Sequence, residues 1–426
     1  MAFDSPILTD CGDILARFTD VRTTSTRLAA PLTPEDWMLQ SMQEASPVKW
    51  NLAHTSWFFE TFLLQVHDAD YEVFHADFCY LFNSYYNQIG KMHPRPDRGL
   101  LSRPTSDEVM RYRAHVDEAM TRFIEASSDQ ELSEIAPLIA LGLAHEEQHQ
   151  ELLLTDLKHA LSLNPLLPGV YDLPSIKTGN SAPPLSWEQM EGGLCEIGWN
   201  GKGFAFDNEG PRHKVYLHPF ELANRPVTAG EYIEFIEAGG YENPNFWLSD
   251  AWELIKQDEW CAPLYWRKLD GVWREYTLHG ERPVNLEAPV CHVSSYEAAA
   301  YASWVGTRLP TEFEWEAAAS LFPLEGKFLE NGAPDAPQPA ADGERLTQLF
   351  GDVWEWTASP YVAYPGFNPP GGAIGEYNGK FMSGQMVLRG GSCATPKGHM
   401  RLSYRNFFPP DARWQFSGFR LARDCG

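Results

Sequence analysis

The sequence is poor in basic residues and has no long apolar run. Lys and Arg number 33 against 58 Asp and Glu, which gives a formal net charge of −25. Such a surface repels phosphate backbones and anionic lipids, so neither nucleic-acid binding nor membrane binding is expected. No stretch reaches the roughly 18 apolar residues that a membrane-spanning helix needs. The opening MAFDSPILTD has no apolar core of the kind found in signal peptides. We therefore expect a cytoplasmic protein.

Paired cysteine motifs are also absent. The 7 cysteines are scattered, odd in number and include no C-x-x-C, which indicates reduced thiols rather than a disulfide framework. Apolar residues make up 43% and aromatic residues 13% of the chain, which is enough for sizeable cores. The length of 426 residues predicts about two or three domains.

The chain changes character near residue 164. Residues 1–163 repeat apolar positions at three-to-four spacing in four segments, which predicts an antiparallel four-helix bundle. Residues 164–186 are rich in Pro, Gly and Ser and are predicted to form a linker. Residues 187–426 combine short strands, dense turns, many Trp and one clear helix at SSYEAAAYASWVG. The predicted protein is multi-domain, α followed by α+β.

The stretch HEEQH at residues 145–149 is the first candidate site. On a helix, His145 and His149 lie one turn apart on one face, where two imidazoles can bind one metal ion. One alternative is a polar patch on an acidic helix. Another is the H-E-x-x-H motif of zinc peptidases, with Glu146 as the base. The third histidine of the extended peptidase motif is missing, because HQELLLTDLKH follows.

A third ligand is expected from a facing helix of the bundle. His54 lies in the apolar segment WNLAHTSWFFE, where an imidazole is either a core side chain or an inward-facing ligand, and the pair at 145 and 149 favours the ligand interpretation. Three neutral imidazoles leave coordination positions open, which suits iron(II) binding substrates and dioxygen, although zinc accepts the same ligands. The competing histidines of the first domain are His67, His75, His93, His115 and His159.

The order of these parts resembles a known family. The bundle with its histidines resembles the DinB-like metal-binding bundles. The second part is similar to the formylglycine-generating-enzyme, or sulfatase-modifying-factor, domain, which has a C-type-lectin-like fold. Their fusion resembles the ergothioneine-biosynthesis sulfoxide synthases over nearly the whole chain. The stretches that carry the second resemblance are FDNEGPRHKVYLHPFELANRPVTAGEYIEFI, APVCHVSSYEAAAYASWVGTRLPTEFEWEAAA, GDVWEWTASPY, VLRGGSC and SGFRLAR.

That resemblance implies a reaction and a cofactor. Iron(II) would be bound by His54, His145 and His149. The enzyme would join the sulfur of a cysteine-type thiol to the imidazole C2 of hercynine, which is Nα-trimethylhistidine, and would form a sulfoxide with dioxygen as the four-electron acceptor. The expected partners are therefore the small molecules cysteine, hercynine and dioxygen, and homo-oligomer formation stays open.

Three rival functions remain at this point. The nearest is a sister synthase of ovothiol type that attaches sulfur at imidazole C5 of histidine. The methyltransferase domain usual for that synthase is not found in this sequence, which argues against it. The other two are a zinc peptidase and a non-catalytic DinB-type binding protein.

The resemblance also assigns substrate contacts. Gln148, Tyr377 and Asn406 match residues that contact hercynine. Arg95 and Arg98, in HPRPDRG, match arginines that bind the carboxylate of the thiol substrate. A guanidinium group pairs a carboxylate in bidentate fashion, so the chemistry agrees. The alternative for both arginines is ordinary surface charge.

Two departures from the family pattern bear on the chemistry. Cys393 of RGGSC is not followed by the second cysteine of formylglycine-generating enzymes, so thiolate chemistry of that type is not expected. Family members that use γ-glutamylcysteine carry N-W-D, whereas this chain has Asn406, Phe407 and Phe408, with Arg413 about one place from the expected arginine. An apolar wall cannot pair the glutamyl ammonium group, so free cysteine is the predicted thiol.

The proton donor differs as well. The γ-glutamylcysteine branch has a catalytic Tyr three residues before the position of Tyr377, where this chain has Ile374. The long connection over about residues 69–105 contains Tyr85 and Tyr86, and the resemblance to the cysteine-using branch points to them. The role requires a hydroxyl that can give a proton as negative charge builds on dioxygen. Packing of both tyrosines at a domain interface is the alternative.

Overall fold

The structure is a computed structural model with a helical first part and a sheet-rich second part, so the predicted fold class is confirmed. None of the described helices combines the length and apolar character needed to cross a bilayer. The described residues are 10–172, 181–330, 337–341, 345–372, 375 and 378–425.

Four long helices form the N-terminal bundle. The described α-helices of this part are α1 Cys11–Ala29, α2 Val48–Phe59, α3 Gln65–His67, α4 Phe78–Phe82, α5 Ser106–Ala126 and α6 Asp129–Ser162. Helices α1 and α2 each pack against both α5 and α6, and α2 continues through a π-helical turn, Glu60–Leu64, into α3. The apolar faces that meet in the bundle are buried, as expected for helices with a three-to-four apolar repeat.

The starts of α5 and α6 are specified by local sequence. Thr105 caps α5 in a reciprocal capping box with Glu108, and Ser128 caps α6 in the same way with Glu131. Each box satisfies otherwise unpaired backbone N–H groups at the helix start. Helix α6 then runs for 34 residues, long enough to serve as a bundle helix at one end and a platform for the second domain at the other.

The second part contains short strands in several small sheets. The described strands are β1 Trp187–Met190, β2 Gly193–Ile197, β3 His213–Leu217, β4 Phe220–Ala223, β5 Trp266–Leu269, β6 Val272–Thr277, β7 Gly280–Pro283, β8 Gly326–Lys327, β9 Phe350–Gly351, β10 Trp354–Pro360, β11 Met386–Arg389, β12 Asn406–Phe408, β13 Ser417–Phe419 and β14 Ala422–Asp424. A four-stranded sheet has the order β12-β11-β10-β13, with β10 and β13 parallel, and a three-stranded sheet has the order β1-β4-β14.

Helices in this part are short and mostly capped by their own sequence. The helix predicted at SSYEAAAYASWVG is present, and three more accompany it among the described residues. The four are α7 Ala229–Glu237, α8 Ser249–Asp258, α9 Ser295–Trp304 and α10 Glu312–Ala319. Each is 8 to 10 residues long, and capping boxes start α7, α9 and α10.

The C-terminal half of α6 joins the two domains. Glu151 accepts hydrogen bonds from the Trp354 indole at 2.8 Å and from the Ser392 hydroxyl at 2.6 Å. About two turns further along α6, the Lys158 Nζ atom lies 2.7 Å from the Nε2 atom of His292. Since the same helix carries His145 and His149, this interface fixes the second domain against the candidate metal site.

Candidate metal centre and substrate pocket

Three imidazoles meet where α2 faces α6. His54 lies on α2, and His145 and His149 lie on α6. One ring nitrogen from each lies within 4.8 Å of the others, and the Nε2 atoms of His54 and His145 are 3.1 Å apart. The structure therefore brings together the three residues predicted as metal ligands. The five competing histidines of the first domain are not part of this group.

Outer hydrogen bonds set the orientation of two of the rings. The Nδ1 atom of His54 donates to the Phe82 carbonyl at 2.6 Å, and Nδ1 of His149 donates to Oδ1 of Asn51 at 2.8 Å. The Asn51 amide nitrogen donates to backbone carbonyls, which leaves its oxygen for the ring. With the proton on Nδ1, each Nε2 presents a lone pair, and lone pairs gathered this closely are stabilised by a metal cation between them.

Burial keeps the three rings neutral, which is the ligating form. Burial lowers the pKa of His145 to about 3, against the opposing effect of Glu146. It also lowers the pKa values of His54 and His149 well below the usual 6.5, and for these two rings neighbouring imidazoles add to the effect. The indoles of Trp50 and Trp57 stack on His54 at interplanar angles of 17° and 13°, which restricts its rotation. The donor set fits a divalent transition metal with open coordination positions.

Glu146 does not face the centre. Its carboxylate accepts hydrogen bonds from Arg22 and Arg113, at 2.8 and 2.9 Å, and from the Ser25 hydroxyl at 2.6 Å. Burial alone would raise the pKa of Glu146, but the two guanidinium groups lower it to about 2. A carboxylate with both oxygens in buried ion pairs is a structural group that links α6 to α1 and α5. It cannot act as the water-activating base of a zinc peptidase, so the geometry argues against that rival.

We expect the change Glu146→Gln to lower stability and to leave turnover intact. Removing one member of a buried ion-pair network leaves two guanidinium groups undercompensated, at a cost of about 3 kcal/mol. Urea unfolding of the purified variant measures this loss, with Glu134→Gln, an exposed glutamate on the same helix, as the control. A folded Glu146→Gln protein that binds metal but has no activity would instead show that the carboxylate takes part in catalysis.

A cavity of about 210 Å³ opens beside His149 between the two domains. Both domains contribute polar and aromatic groups to its walls, as is usual for small-ligand pockets. The predicted site residues that line it are Tyr85, Arg95, Arg98, Gln148, His149, Asn406, Phe407 and Phe408.

The predicted substrate-binding side chains Arg95, Arg98 and Gln148 differ in burial and in their contacts. Arg98 is buried and lies 3.4 Å above the Trp50 ring, whereas Arg95 is exposed and donates to the Glu44 carbonyl. Gln148 donates to the Tyr404 hydroxyl at 2.8 Å.

The two candidate tyrosines differ in burial. Tyr85 lines the cavity. Tyr86 is buried in the bundle against Trp57, with the two tyrosine rings 5.0 Å apart. Two other positions that the sequence analysis singled out, Ile374 and Tyr377, are not among the described residues.

The second-domain residues that bear on thiol choice are also placed. Phe407 stacks on Tyr361 with centroids 4.0 Å apart, and Phe408 contacts Trp414. Arg413 donates to the Glu297 carboxylate at 3.0 Å and to the Ala262 carbonyl. The Arg413 guanidinium is therefore paired with a carboxylate inside the second domain and does not offer its charge to the cavity.

Three site features escaped the sequence analysis. Asp156 lines the cavity two helical turns after His149 on α6, and this seven-residue spacing was a signal that could have revealed it. Tyr404 binds Gln148, and His399 lies 3.0 Å from the Tyr404 hydroxyl. No local sequence pattern predicts a role for Tyr404 or His399, because they reach the site through contacts between the domains.

Cys393 has no features of a reactive thiol. It is fully buried, and burial raises the pKa of its thiol well above the usual 9. The adjoining Ser392 and Thr395 hydroxyls donate to Glu151 of α6. The turn that would carry a cysteine pair in a formylglycine-generating enzyme thus serves here to dock the two domains.

Comparisons with known proteins agree with this architecture. Residues 17–153 match the DinB superfamily, and residues 187–344 and 341–425 match the sulfatase-modifying factor enzyme 1-like domain. A formylglycine-generating enzyme from Streptomyces coelicolor is 30% identical over 279 residues, which cover 53% of this chain and 84% of that protein.

Two relatives with the same name cover two thirds of the chain or more. A hercynine oxygenase from Mycolicibacterium thermoresistibile is 32% identical over 408 residues, which cover 89% of this chain and 87% of that protein. A hercynine oxygenase from Mycolicibacterium smegmatis is 36% identical over 316 residues, which cover 67% of this chain and 71% of that protein. The chain therefore belongs to the hercynine oxygenase family of ergothioneine-pathway sulfoxide synthases, and it is an oxygen-dependent oxidoreductase.

Proposed function

We propose that this protein joins cysteine to the imidazole C2 of hercynine and oxygenates the sulfur, using iron(II) held by His54, His145 and His149. The observation that carries the proposal is the group of three neutral imidazoles beside an interdomain cavity. The overall reaction is balanced: a thiol, an imidazole C–H and one dioxygen give a sulfoxide and one water. Carbon–sulfur bond formation supplies two electrons, and oxidation of sulfur supplies the other two.

The chain's own groups bind and orient the substrates. Gln148 and Asn406 would contact hercynine, while Arg98 would bind the carboxylate of cysteine from its position over Trp50. Phe407 offers an aromatic face to the trimethylammonium group. Bound iron(II) would supply the reduction chemistry of dioxygen. Holding both substrates in one small cavity makes carbon–sulfur bonding effectively intramolecular.

The Tyr85 hydroxyl is the preferred proton donor in this proposal. Tyr85 lines the cavity, whereas Tyr86 is buried against Trp57. Lys380 of the second domain donates to the Tyr85 carbonyl at 2.6 Å, and its ammonium lies 5.0 Å from the Tyr85 ring. These contacts hold the tyrosine segment against the second domain, where a phenol can deliver a proton to reduced oxygen.

We expect cysteine to be preferred to γ-glutamylcysteine by at least about tenfold in kcat/KM. Phe407 and Phe408 present an apolar wall, and Arg413 is engaged by Glu297. Neither group can pair the charges of a glutamyl extension. Mass spectrometry of products from parallel reactions with each thiol and hercynine measures the preference. A higher kcat/KM with γ-glutamylcysteine would overturn this part of the proposal.

The position of the new bond is tested in the same reactions. Proton NMR of the product shows which imidazole hydrogen has been lost. Loss of the C2 hydrogen agrees with the proposal. Loss of the C5 hydrogen, together with equal turnover of plain histidine, would identify the rival synthase of ovothiol type.

A further inference from the structure

Two buried ionisable groups at the cavity have no ion-pair partner among the described residues. Arg98 donates to the hydroxyls of Ser46 and Ser84, at 2.9 and 3.1 Å. Within the part of the chain that the structure describes, Arg98 makes no ion pair with a carboxylate within 4.0 Å, and its Nε atom makes no hydrogen bond. A buried guanidinium that contacts only neutral groups is costly unless a ligand supplies the anion.

Asp156 is the second of these groups. It is 7% exposed and lines the same cavity. Its Oδ2 atom accepts the Ser46 backbone N–H at 2.8 Å, but Oδ1 makes no hydrogen bond with any described residue. The neighbouring Thr155 hydroxyl donates to the Leu152 carbonyl. Burial raises the pKa of Asp156 to about 7, against the opposing effect of the Ser46 N–H and the two nearby arginines.

Ser46 fixes these two groups side by side. Its backbone N–H binds Asp156, and its hydroxyl binds Arg98. The guanidinium nitrogens of Arg98 and the carboxylate oxygens of Asp156 are nevertheless not within 4.0 Å of each other. A ligand with an anion and a cation on one carbon atom would satisfy both at once, and an α-amino acid is such a ligand.

We propose that Arg98 and Asp156 together recognise the α-amino acid group of the thiol substrate, with Asp156 binding the α-ammonium while Arg98 binds the carboxylate. The proposal deepens, and rests on, the proposed use of cysteine. It makes Asp156 a specificity residue that acts independently of Phe407 and Phe408. An N-acylated thiol such as γ-glutamylcysteine presents a neutral amide N–H in place of the ammonium, so it leaves the carboxylate charge unpaired.

The alternative is that Asp156 only binds the Ser46 N–H and so supports the fold. Asp156→Asn separates the two roles, because the amide oxygen of Asn can still accept that N–H while the negative charge is lost. The probes are L-cysteine and 3-mercaptopropionate, which share the thiol and the carboxylate but differ in the amine. Isothermal titration calorimetry under anaerobic conditions with the iron(II)-loaded protein gives their dissociation constants without requiring turnover.

We expect Asp156→Asn to weaken cysteine binding by about 10- to 100-fold and to change 3-mercaptopropionate binding by less than about threefold. Asp352→Asn is the matched control, since Asp352 is also a buried carboxyl that accepts a backbone N–H, from Gln338 at 2.8 Å. It should leave the ratio of the two dissociation constants unchanged. Equal weakening of both ligands by Asp156→Asn, or no weakening of either, would overturn the proposal.

A comparison within the unaltered protein keeps the test decisive if the variant does not fold. The native protein should bind cysteine at least about tenfold more tightly than 3-mercaptopropionate, and equal binding of the two would contradict the role of Asp156. The proposed reaction is tested separately by product formation. If the protein binds cysteine in this way but forms no sulfoxide, the proposed function is wrong and the proposed amino-acid site is still supported.

Discussion

Replacing His54 with alanine is expected to remove both bound iron and activity. His54 is one of three imidazoles whose ring nitrogens lie within 4.8 Å of one another, and it is the member of the group that lies on α2. Two histidines on one helix turn can still contact a metal ion, but they do not hold it with the affinity or geometry of three ligands. Sulfoxide formation should fall by about 1,000-fold or more. Metal content after anaerobic loading and dialysis should fall in parallel.

The control for this change is His159→Ala. His159 lies on α6 as His145 and His149 do, but its ring binds the Ser41 hydroxyl at 2.6 Å and is outside the group of three. This variant should keep one iron per chain and nearly full activity. Because the His54 ring is packed between Trp50 and Trp57, unfolding curves of both variants must be compared. A folded His54→Ala protein with full iron content would contradict the assignment of the centre.

Changing Tyr85 and Tyr86 together to phenylalanine is expected to suppress sulfoxide formation by about 100-fold. Phenylalanine keeps the ring contacts with Trp57 and Phe381 and removes only the hydroxyl groups. Iron and both substrates should still bind, so residual oxygen consumption should appear as oxidised thiol without a bond to hercynine. The ratio of sulfoxide to oxidised thiol, measured by mass spectrometry, is therefore the informative quantity.

Single variants locate the donor within this pair. Tyr85→Phe should account for most of the change, because Tyr85 lines the cavity and Tyr86 is 1% exposed. The control is Tyr80→Phe, which should behave as the unaltered protein. Tyr80 lies in the preceding helix α4 and is 43% exposed. An unchanged product ratio in the double variant would rule out both tyrosines as proton donors.

Much of the centre follows from local sequence. The spacing of His145 and His149 places two imidazoles on one helix face whatever the tertiary structure, and the capping sequences at Thr105 and Ser128 set where α5 and α6 begin. The addition of His54 depended on the pair at 145 and 149 and on the resemblance to a known family, because nothing in its own segment separates a ligand from a core histidine.

The remaining features depend on contacts between residues far apart in the chain. Glu146 looks like a catalytic base in HEEQH until Arg22 and Arg113 are seen to bind it, across 124 and 33 residues. The environment of Asp156 depends on Ser46, which lies 110 residues before it. The role of Gln148 depends on Tyr404, 256 residues later. Such contacts are set by packing of the domains and leave no periodic pattern in the sequence.

The most direct test of the central claim is dioxygen uptake by protein loaded anaerobically with iron(II) and supplied with cysteine and hercynine. We expect rapid uptake with one dioxygen consumed per sulfoxide adduct formed, and loss of that adduct when histidine replaces hercynine. Absence of uptake with cysteine and with γ-glutamylcysteine, in protein that holds iron at His54, His145 and His149, would contradict the claim.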